Sequence, residues 1–175
     1  MNKRIIIIIL ILILTFSFAV SGEGQWNTFT SEDEMTESKI WFANSPYVSP
    51  TEKMDFPYGD VEASLHVGYD GEREWAYIAF RDTPNIMNSE PGDGYNIIYT
   101  RIKWDDEIEN IKLTQKWSSR FIHFKDDENI ISNIINSNTA LLELDWYGEE
   151  EVYFKFPLDG SAAAIEKIRN SFDKD

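Results

Sequence analysis

Past residue 24, apolar and polar residues mostly alternate in short runs, and the runs are separated by acid-rich or Pro/Gly-rich breaks. A period of two sends successive side chains to opposite faces, so the pattern predicts half-buried strands joined by solvated turns. The clearest case is 61–81. Val61, Ala63, Leu65, Val67 and Tyr69 alternate, Asp70-Gly71 supplies a turn with positive φ, and Trp75 to Phe80 returns, which together predict a β-hairpin. Three further strands are expected at 94–104, 111–117 and 120–124, with Asp105-Asp106-Glu107 marking the first turn. Thr139 to Tyr147, then Gly148-Glu149, then Glu150 to Phe156 predict a second hairpin.

Two segments break the strand period. Asp126-Asp127-Glu128 precedes Ile130, Ile131, Ile134 and Ile135, a helical stripe with acids at the end where the helix dipole favours them, so a short helix is expected near 127–137. After Gly160, Ser161 is placed to cap and three alanines favour helix. Ile165, Ile168 and Phe172 then fall on one face, predicting a C-terminal helix packed on the sheet. The stretch 45–60 holds Pro46, Pro50 and Pro57 without a clean period and is expected to be a long surface loop. The expected class is mainly β: an antiparallel sheet or sandwich carrying these two helices.

The first residues follow a different logic. Asn2-Lys3-Arg4, ten consecutive Ile and Leu from Ile5 to Leu14, and the small-residue stretch ending Ala19-Val20-Ser21 have the three regions of a secretory signal in order. Ala19 and Ser21 suit cleavage before Gly22, and Ser17 and Ala19 suit a cut before Val20. The apolar stretch is shorter than the ~20 residues of a full membrane span. A signal peptide over 1–21 and one β-rich domain over 22–175 are therefore expected, periplasmic or secreted, with no membrane span after cleavage.

The chain of 175 residues carries 16 Lys plus Arg against 31 Asp plus Glu, a formal charge of −15. Without residues 1–21, which include Lys3 and Arg4 but no acid, 14 basic side chains face 31 acidic ones, a balance of −17. Such a body repels phosphate backbones, so no nucleic-acid partner is expected. Cysteine is absent, which excludes disulfides, thiolate metal sites and cysteine nucleophiles. With 6 Trp, 8 Tyr and 11 Phe, the chain still has ample material for a folded core.

No constellation of residues announces catalysis. His66 and His123 stand far apart in sequence and read as strand residues that pack or hydrogen-bond locally. A Gly-x-Ser-x-Gly elbow is missing, and Gly92-Asp93-Gly94 lacks the further glycine and lysine of a phosphate loop. The acidic runs 32–34, 105–107, 126–128 and 149–151 fall at predicted turns or a helix start, where carboxylates stay hydrated, and they lack the alternating spacing of a calcium loop. Neither cofactor nor metal is expected. Each of the six tryptophans reads as core, with an exposed pair as the alternative that would stack on sugar rings or fill a partner's pocket.

Three stretches in order carry a resemblance. Gly24-Gln25-Trp26 leads to Asp33-Glu34-Met35-Thr36-Glu37; Tyr99-Thr100-Arg101-Ile102-Lys103 leads to Lys116-Trp117-Ser118-Ser119; and Phe154-Lys155-Phe156-Pro157-Leu158-Asp159-Gly160 precedes an amphipathic helix. Together they resemble the exported type VI secretion-associated proteins of the VasI/TagO kind. The resemblance implies a non-enzymatic accessory or adaptor that acts by contact with an envelope or secretion-apparatus protein. Under it Trp26, Met35 and Thr36 shape an N-terminal segment, and Arg101, Trp117 and Ser119 the facing strands, as candidate partner-binding residues. Arg101 either pairs with a nearby carboxylate or is presented to an anionic group, and the pair is the preferred reading. Members of that family often carry one cysteine at the end of the first hairpin strand and another in the C-terminal helix. Here Val67-Gly68-Tyr69 and Arg169-Asn170-Ser171-Phe172 stand in those places. A disulfide contributes about 2–4 kcal/mol, so the helix is expected to be held by burial of Ile165, Ile168 and Phe172.

Two other functions fit the residues. An acidic domain suits inhibition of a cationic exported enzyme such as lysozyme, since opposite charge speeds encounter. Exposed tryptophans would suit a carbohydrate-binding module.

Overall fold

The structure is a computed structural model that describes residues 26–172. The expected signal segment, 1–21, lies outside the described residues. Ten strands and two helices follow in order: β1 Asn27–Glu32, β2 Lys39–Asn44, β3 Ala63–Tyr69, β4 Glu74–Phe80, β5 Ser89–Pro91, β6 Tyr95–Trp104, β7 Glu107–Lys116, β8 Phe121–Phe124, α1 Asp127–Asn136, β9 Thr139–Asp145, β10 Glu151–Pro157 and α2 Ser161–Phe172. They form one sheet in the order β1-β2-β3-β4-β8-β7-β6-β9-β10, with β5 on β6 and every pair antiparallel. The expected mainly-β class and both helices are present.

Both predicted hairpins are found, β3–β4 turning at Asp70–Arg73 and β9–β10 at Trp146–Glu150. The strands expected at 94–104, 111–117 and 120–124 are β6, β7 and β8, although β7 begins earlier because the turn uses only Asp105 and Asp106. The sequence pattern missed the β1–β2 hairpin and β5. Asn27–Glu32 offers Phe29 as its one large apolar side chain, so no alternation marks it. Its partner β2 supplies Trp41 and Ala43 to the core instead.

The segment 45–60 is the expected loop, mostly exposed and without a strand of its own, but it also makes two backbone bridges that the sequence did not foretell. Val48 and Ala63 exchange backbone hydrogen bonds of 2.8 and 3.0 Å, and the Thr51 N–H donates to the Tyr153 carbonyl at 2.8 Å. Residues 48–51 thereby join the start of β3, which β2 leaves uncovered, to the free edge of β10, and hydrogen-bonded neighbours run in a closed circuit through β3, β4, β8, β7, β6, β9 and β10. Prolines suit this role because an edge that pairs only intermittently does not need every N–H. Inside the circuit Phe80, Phe154 and Trp146 meet with ring centroids 5.5–6.2 Å apart, packed among Leu65, Ile78, Leu142 and Leu144.

The helices close the remaining surface. α1 buries Ile130, Ile131 and Ile134 as its stripe requires. α2 lies across β2, with further contacts to β1, β3 and α1. Ile165 and Ile168 are fully buried, whereas Phe172 keeps 41% of its surface exposed and packs edge-on against Trp41 and Tyr69. Ser161 does not cap its own helix. Its buried hydroxyl donates to the Ile134 carbonyl at 2.7 Å and ties α2 to α1. Arg169 adds a two-pronged pair with Glu74 on β4. Among the described residues no helix is long and apolar enough to cross a membrane.

The two histidines lie beside Tyr77 on the face of the sheet turned away from the circuit's interior. His66 is hydrogen-bonded to Ser64 Oγ through Nε2 and to the Tyr77 hydroxyl through Nδ1, and its ring stacks on Tyr77. Loss of hydration lowers His66 to about 4. The folded state thus rejects a proton that the unfolded chain accepts near pH 6.5, so this contribution is complete above pH 6.5 and disappears as the pH falls to 4. His66→Gln is expected to flatten the stability-versus-pH curve over that window by roughly 3 kcal/mol relative to wild type. Urea unfolding at stepped pH would show it, and parallel curves would contradict it.

Gly71 is the other sensitive position. Its φ is +95°, and an added Cβ would sit 2.1 Å from the Phe172 ring. Gly71→Ala is expected to destabilise by about 1–2 kcal/mol from backbone strain alone and to lift the end of α2. Circular dichroism with urea titration measures both effects, and an unchanged midpoint contradicts the docking of Phe172.

Candidate functional site

Three loops meet at one end of the sheet: 52–58 after the closing segment, 85–88 before β5, and 146–149 between β9 and β10. Buried Met54 roots the first loop, and Tyr58 covers Trp146 edge-on at 5.7 Å. The Asp55 N–H donates to Glu149 Oε1 at 2.8 Å, Asn85 Nδ2 to the Tyr58 hydroxyl at 3.3 Å and the Tyr147 N–H to the Asn85 carbonyl at 2.9 Å. The Met87 N–H reaches the Asp145 carbonyl at 2.8 Å. Each loop is therefore braced by the others.

The platform carries exposed apolar tips. Phe56 is 97% exposed, Tyr147 56% and Met87 44%. Beside them a shallow groove of about 380 Å³ runs between 51–54 and 149–153, lined by Glu52, Glu149, Glu150 and Glu151 with Lys53 as its one cation. An apolar tip on an ordered base loses little freedom on docking, and its acidic surround selects a partner with a basic rim.

Trp146 beneath the platform has a buried indole N–H with no acceptor. Leaving it unpaired costs about 1–3 kcal/mol. Burying an indole of some 150–250 Å² returns roughly 4–6 kcal/mol at about 25 cal/mol per Å², so packing prevails as long as Tyr58 covers the ring.

The residues singled out from sequence are dispersed over the fold. Trp26 is buried and its indole N–H donates to the Pro157 carbonyl at 2.9 Å, clasping the start of β1 to the end of β10. Met35 and Thr36 lie in the β1–β2 turn, where their amides donate to Asp33 Oδ1 at 2.8 and 3.2 Å. The Met35 side chain is 92% exposed. Arg101 projects outward from β6 and grips both oxygens of Glu143, which also accepts from the Tyr153 hydroxyl at 3.2 Å. The Arg101 hydrogen bonds hold the Glu143 carboxyl below the usual carboxylate range. This is the internal pair preferred from the sequence. Trp117 is exposed and its N–H donates to Asn96 Oδ1 at 3.2 Å. Ser119 shapes the β7–β8 turn, its Oγ accepting from the Phe121 N–H at 3.0 Å. Of the six, Met35 and Thr36 share the β1–β2 turn and Trp117 and Ser119 the β7–β8 turn, while Trp26 and Arg101 stand apart from both.

Of the tryptophans, Trp26, Trp41, Trp104 and Trp146 are core, Trp75 is half-buried and Trp117 is exposed. Among the described residues no group of three or more His, Cys, Asp or Glu is arranged to hold a metal. Phe56 and Met87 escaped the sequence reading because they lie in segments without period, and Tyr147 because it read as the last residue of a strand that in the structure ends at Asp145. Their signal was an exposable ring or thioether beside Pro, Asn or Gly, which says nothing until the three loops are seen to converge. No family model, curated protein or solved structure matches the chain.

Tyr58→Ala removes both the cover of Trp146 and the brace to Asn85. It is expected to cost about 1–3 kcal/mol and to shift indole emission to the red as water reaches Trp146. Unchanged emission and midpoint would show that the platform does not depend on Tyr58.

Proposed function

We propose that this protein is a non-enzymatic exported accessory that works by docking on another protein of the cell envelope, in the manner of the type VI secretion-associated VasI/TagO-like proteins its motifs resemble. The observation that carries this reading is the Phe56 tip, almost fully solvated yet mounted on a braced three-loop platform. A large ring held in water by an ordered loop gains free energy when a partner pocket covers it, and aromatic anchors of this kind dominate interface energetics. The basic n-region and apolar stretch at the N-terminus support export, and the mature protein is then periplasmic or secreted.

The exported protein is expected to have an intact mass lacking residues 1–21, or 1–19 if the cut precedes Val20. A photoreactive phenylalanine analogue at Phe56 is expected to form a discrete adduct with one envelope protein in the producing cells, while the same analogue at exposed Lys167 on α2 does not. Because Phe56 contacts solvent, Phe56→Ala is expected to leave stability within about 0.5 kcal/mol while abolishing that association. Equal adducts from both positions, or none from Phe56, would refute docking through the platform.

The glutamate-lined groove beside Phe56 favours one second reading, inhibition of a cationic exported enzyme. Purified protein mixed with lysozyme would then co-elute on gel filtration and slow cell-wall lysis, and Phe56→Ala would relieve both effects. Undiminished lysis without co-elution removes this reading.

A further inference from the structure

Opposite the circuit's interior, the outward positions of β1, β2, β3, β4, β8 and β7 form one side of the sheet, buried at Ser64, His66, Tyr77 and Ala79 and open to solvent at Phe29, Lys112 and Lys116, with Phe42 and Trp75 half-buried. One row crosses it through Asn44, His66, Tyr77, His123 and Thr114, fixed by the strand register. None of the outward positions on these six strands is Asp or Glu, although the chain has 31 acids among 175 residues. Aromatic rings occupy the surface instead. Phe29 stacks on Phe42 at 4.9 Å, and Phe42 meets Trp75 and Tyr77 edge-on. Trp75 lies over Gly68, its cross-strand partner, so closely that a Cβ at Gly68 would stand 2.5 Å from the indole. The glycine lets one face of the indole rest on the backbone, and Trp75 remains half-buried.

Cations border the rings. Lys112 and Lys116 project from β7 and Lys125 follows β8, and none of the three has a carboxylate within ion-pair distance among the described residues. Lys112 sits 5.5 Å over the exposed Tyr99 ring, and the Arg120 guanidinium lies over Phe121. The acids that flank this side are engaged or lie on other elements: Glu62 just before β3 pairs with Arg81, Asp70 just after it with Arg73, Glu143 on β9 with Arg101, Asp127 of α1 accepts the Ala76 N–H, and Glu90 lies on β5.

We infer that this acid-free face binds the glycan strand of peptidoglycan, with sugar rings against Phe29, Phe42 and Trp75 and peptide-stem carboxylates against Lys112, Lys116 and Lys125. The choice of cell-wall glycan rests on the exported reading above; the ligand chemistry rests on the surface itself. Flat rings call for a ligand with apolar faces, and unpaired lysines call for anionic groups. Dense polyanions are disfavoured, because a charge every ~1.7 Å, as in duplex nucleic acid, would extend past the lysines into the field of a −15 body. A glycan with its charge on every second sugar places neutral rings where the aromatics are and carboxylates within the ~8–10 Å screening length of the lysines.

The test uses the full mature protein and soluble disaccharide-repeat muropeptides carrying their peptide stems, followed by tryptophan fluorescence. Saturable binding is expected, weakened at least tenfold in the Lys112→Glu, Lys116→Glu double variant, whose exposed positions leave the fold intact. Chitohexaose, with the same sugars but no carboxylate, is expected to bind at least tenfold more weakly, and Gly68→Ala is expected to lose binding as Trp75 is displaced. Phe56→Ala is expected to bind muropeptides like wild type, so failure of platform docking and failure of this face are separate results. No saturable signal, equal binding by the charge-reversed variant, or tighter binding to an oligo-glutamate peptide or oligo-dT would overturn the inference.

Discussion

The short backbone contact made by residues 48–51 constrains everything else in the molecule. Without the Val48–Ala63 exchange and the Thr51 N–H to Tyr153 bond, the start of β3 that β2 does not cover and the outer side of β10 would be left unpaired, and the row of Phe80, Trp146 and Phe154 would have water on one side. With it, β3 and β10 become neighbours, and these rings are shut into a core. The same contact delivers the chain to 52–58 at a fixed height, which is why Met54 is buried and Phe56, two residues later, stands fully in solvent.

Charge is distributed according to that architecture. Several carboxylates sit at turns, where they accept backbone amides: Asp33 in the β1–β2 turn, Asp70 in the β3–β4 turn, and Asp105 from Asn138 and Thr139. Those amides hold the Asp70 and Asp105 carboxyls below their ordinary range. Acid-rich breaks thus serve as turn locks as well as hydrated surface. The sheet face bearing His66 and Tyr77 is kept free of acids, and the groove beside Phe56 is crowded with them. One molecule therefore presents two surfaces of opposite character, and a partner or ligand meets a different chemistry on each.

The absence of cysteine shifts the holding of α2 onto packing and polar ties. Ile165 and Ile168 contribute roughly 1.5–3 kcal/mol each by burial, comparable with the about 2–4 kcal/mol that a disulfide typically contributes. The Ser161 bond to Ile134 and the Arg169 pair with Glu74 set the helix's position along and across the sheet, tasks that apolar burial performs poorly because it has no direction.

Local patterns settled much of this protein. Alternation marked β3, β4, β6, β9 and β10, Asp-Gly and Gly148 marked two hairpin turns, and the isoleucine spacings marked α1 and the buried stripe of α2. Arg101 was legible as one half of a pair because a cation on a strand of an acidic chain finds a carboxylate. Tertiary structure alone decided that β4 lies beside β8, that the proline-rich segment closes the sheet, that Trp75 rests on Gly68 while Trp146 is entombed, and that Phe56, Met87 and Tyr147 share one end. The physical reason is that side-chain period reports which face a residue takes, whereas the choice of neighbouring strand is made by backbone hydrogen bonds that every residue offers alike, and by the shape of a core that exists only after the chain has closed.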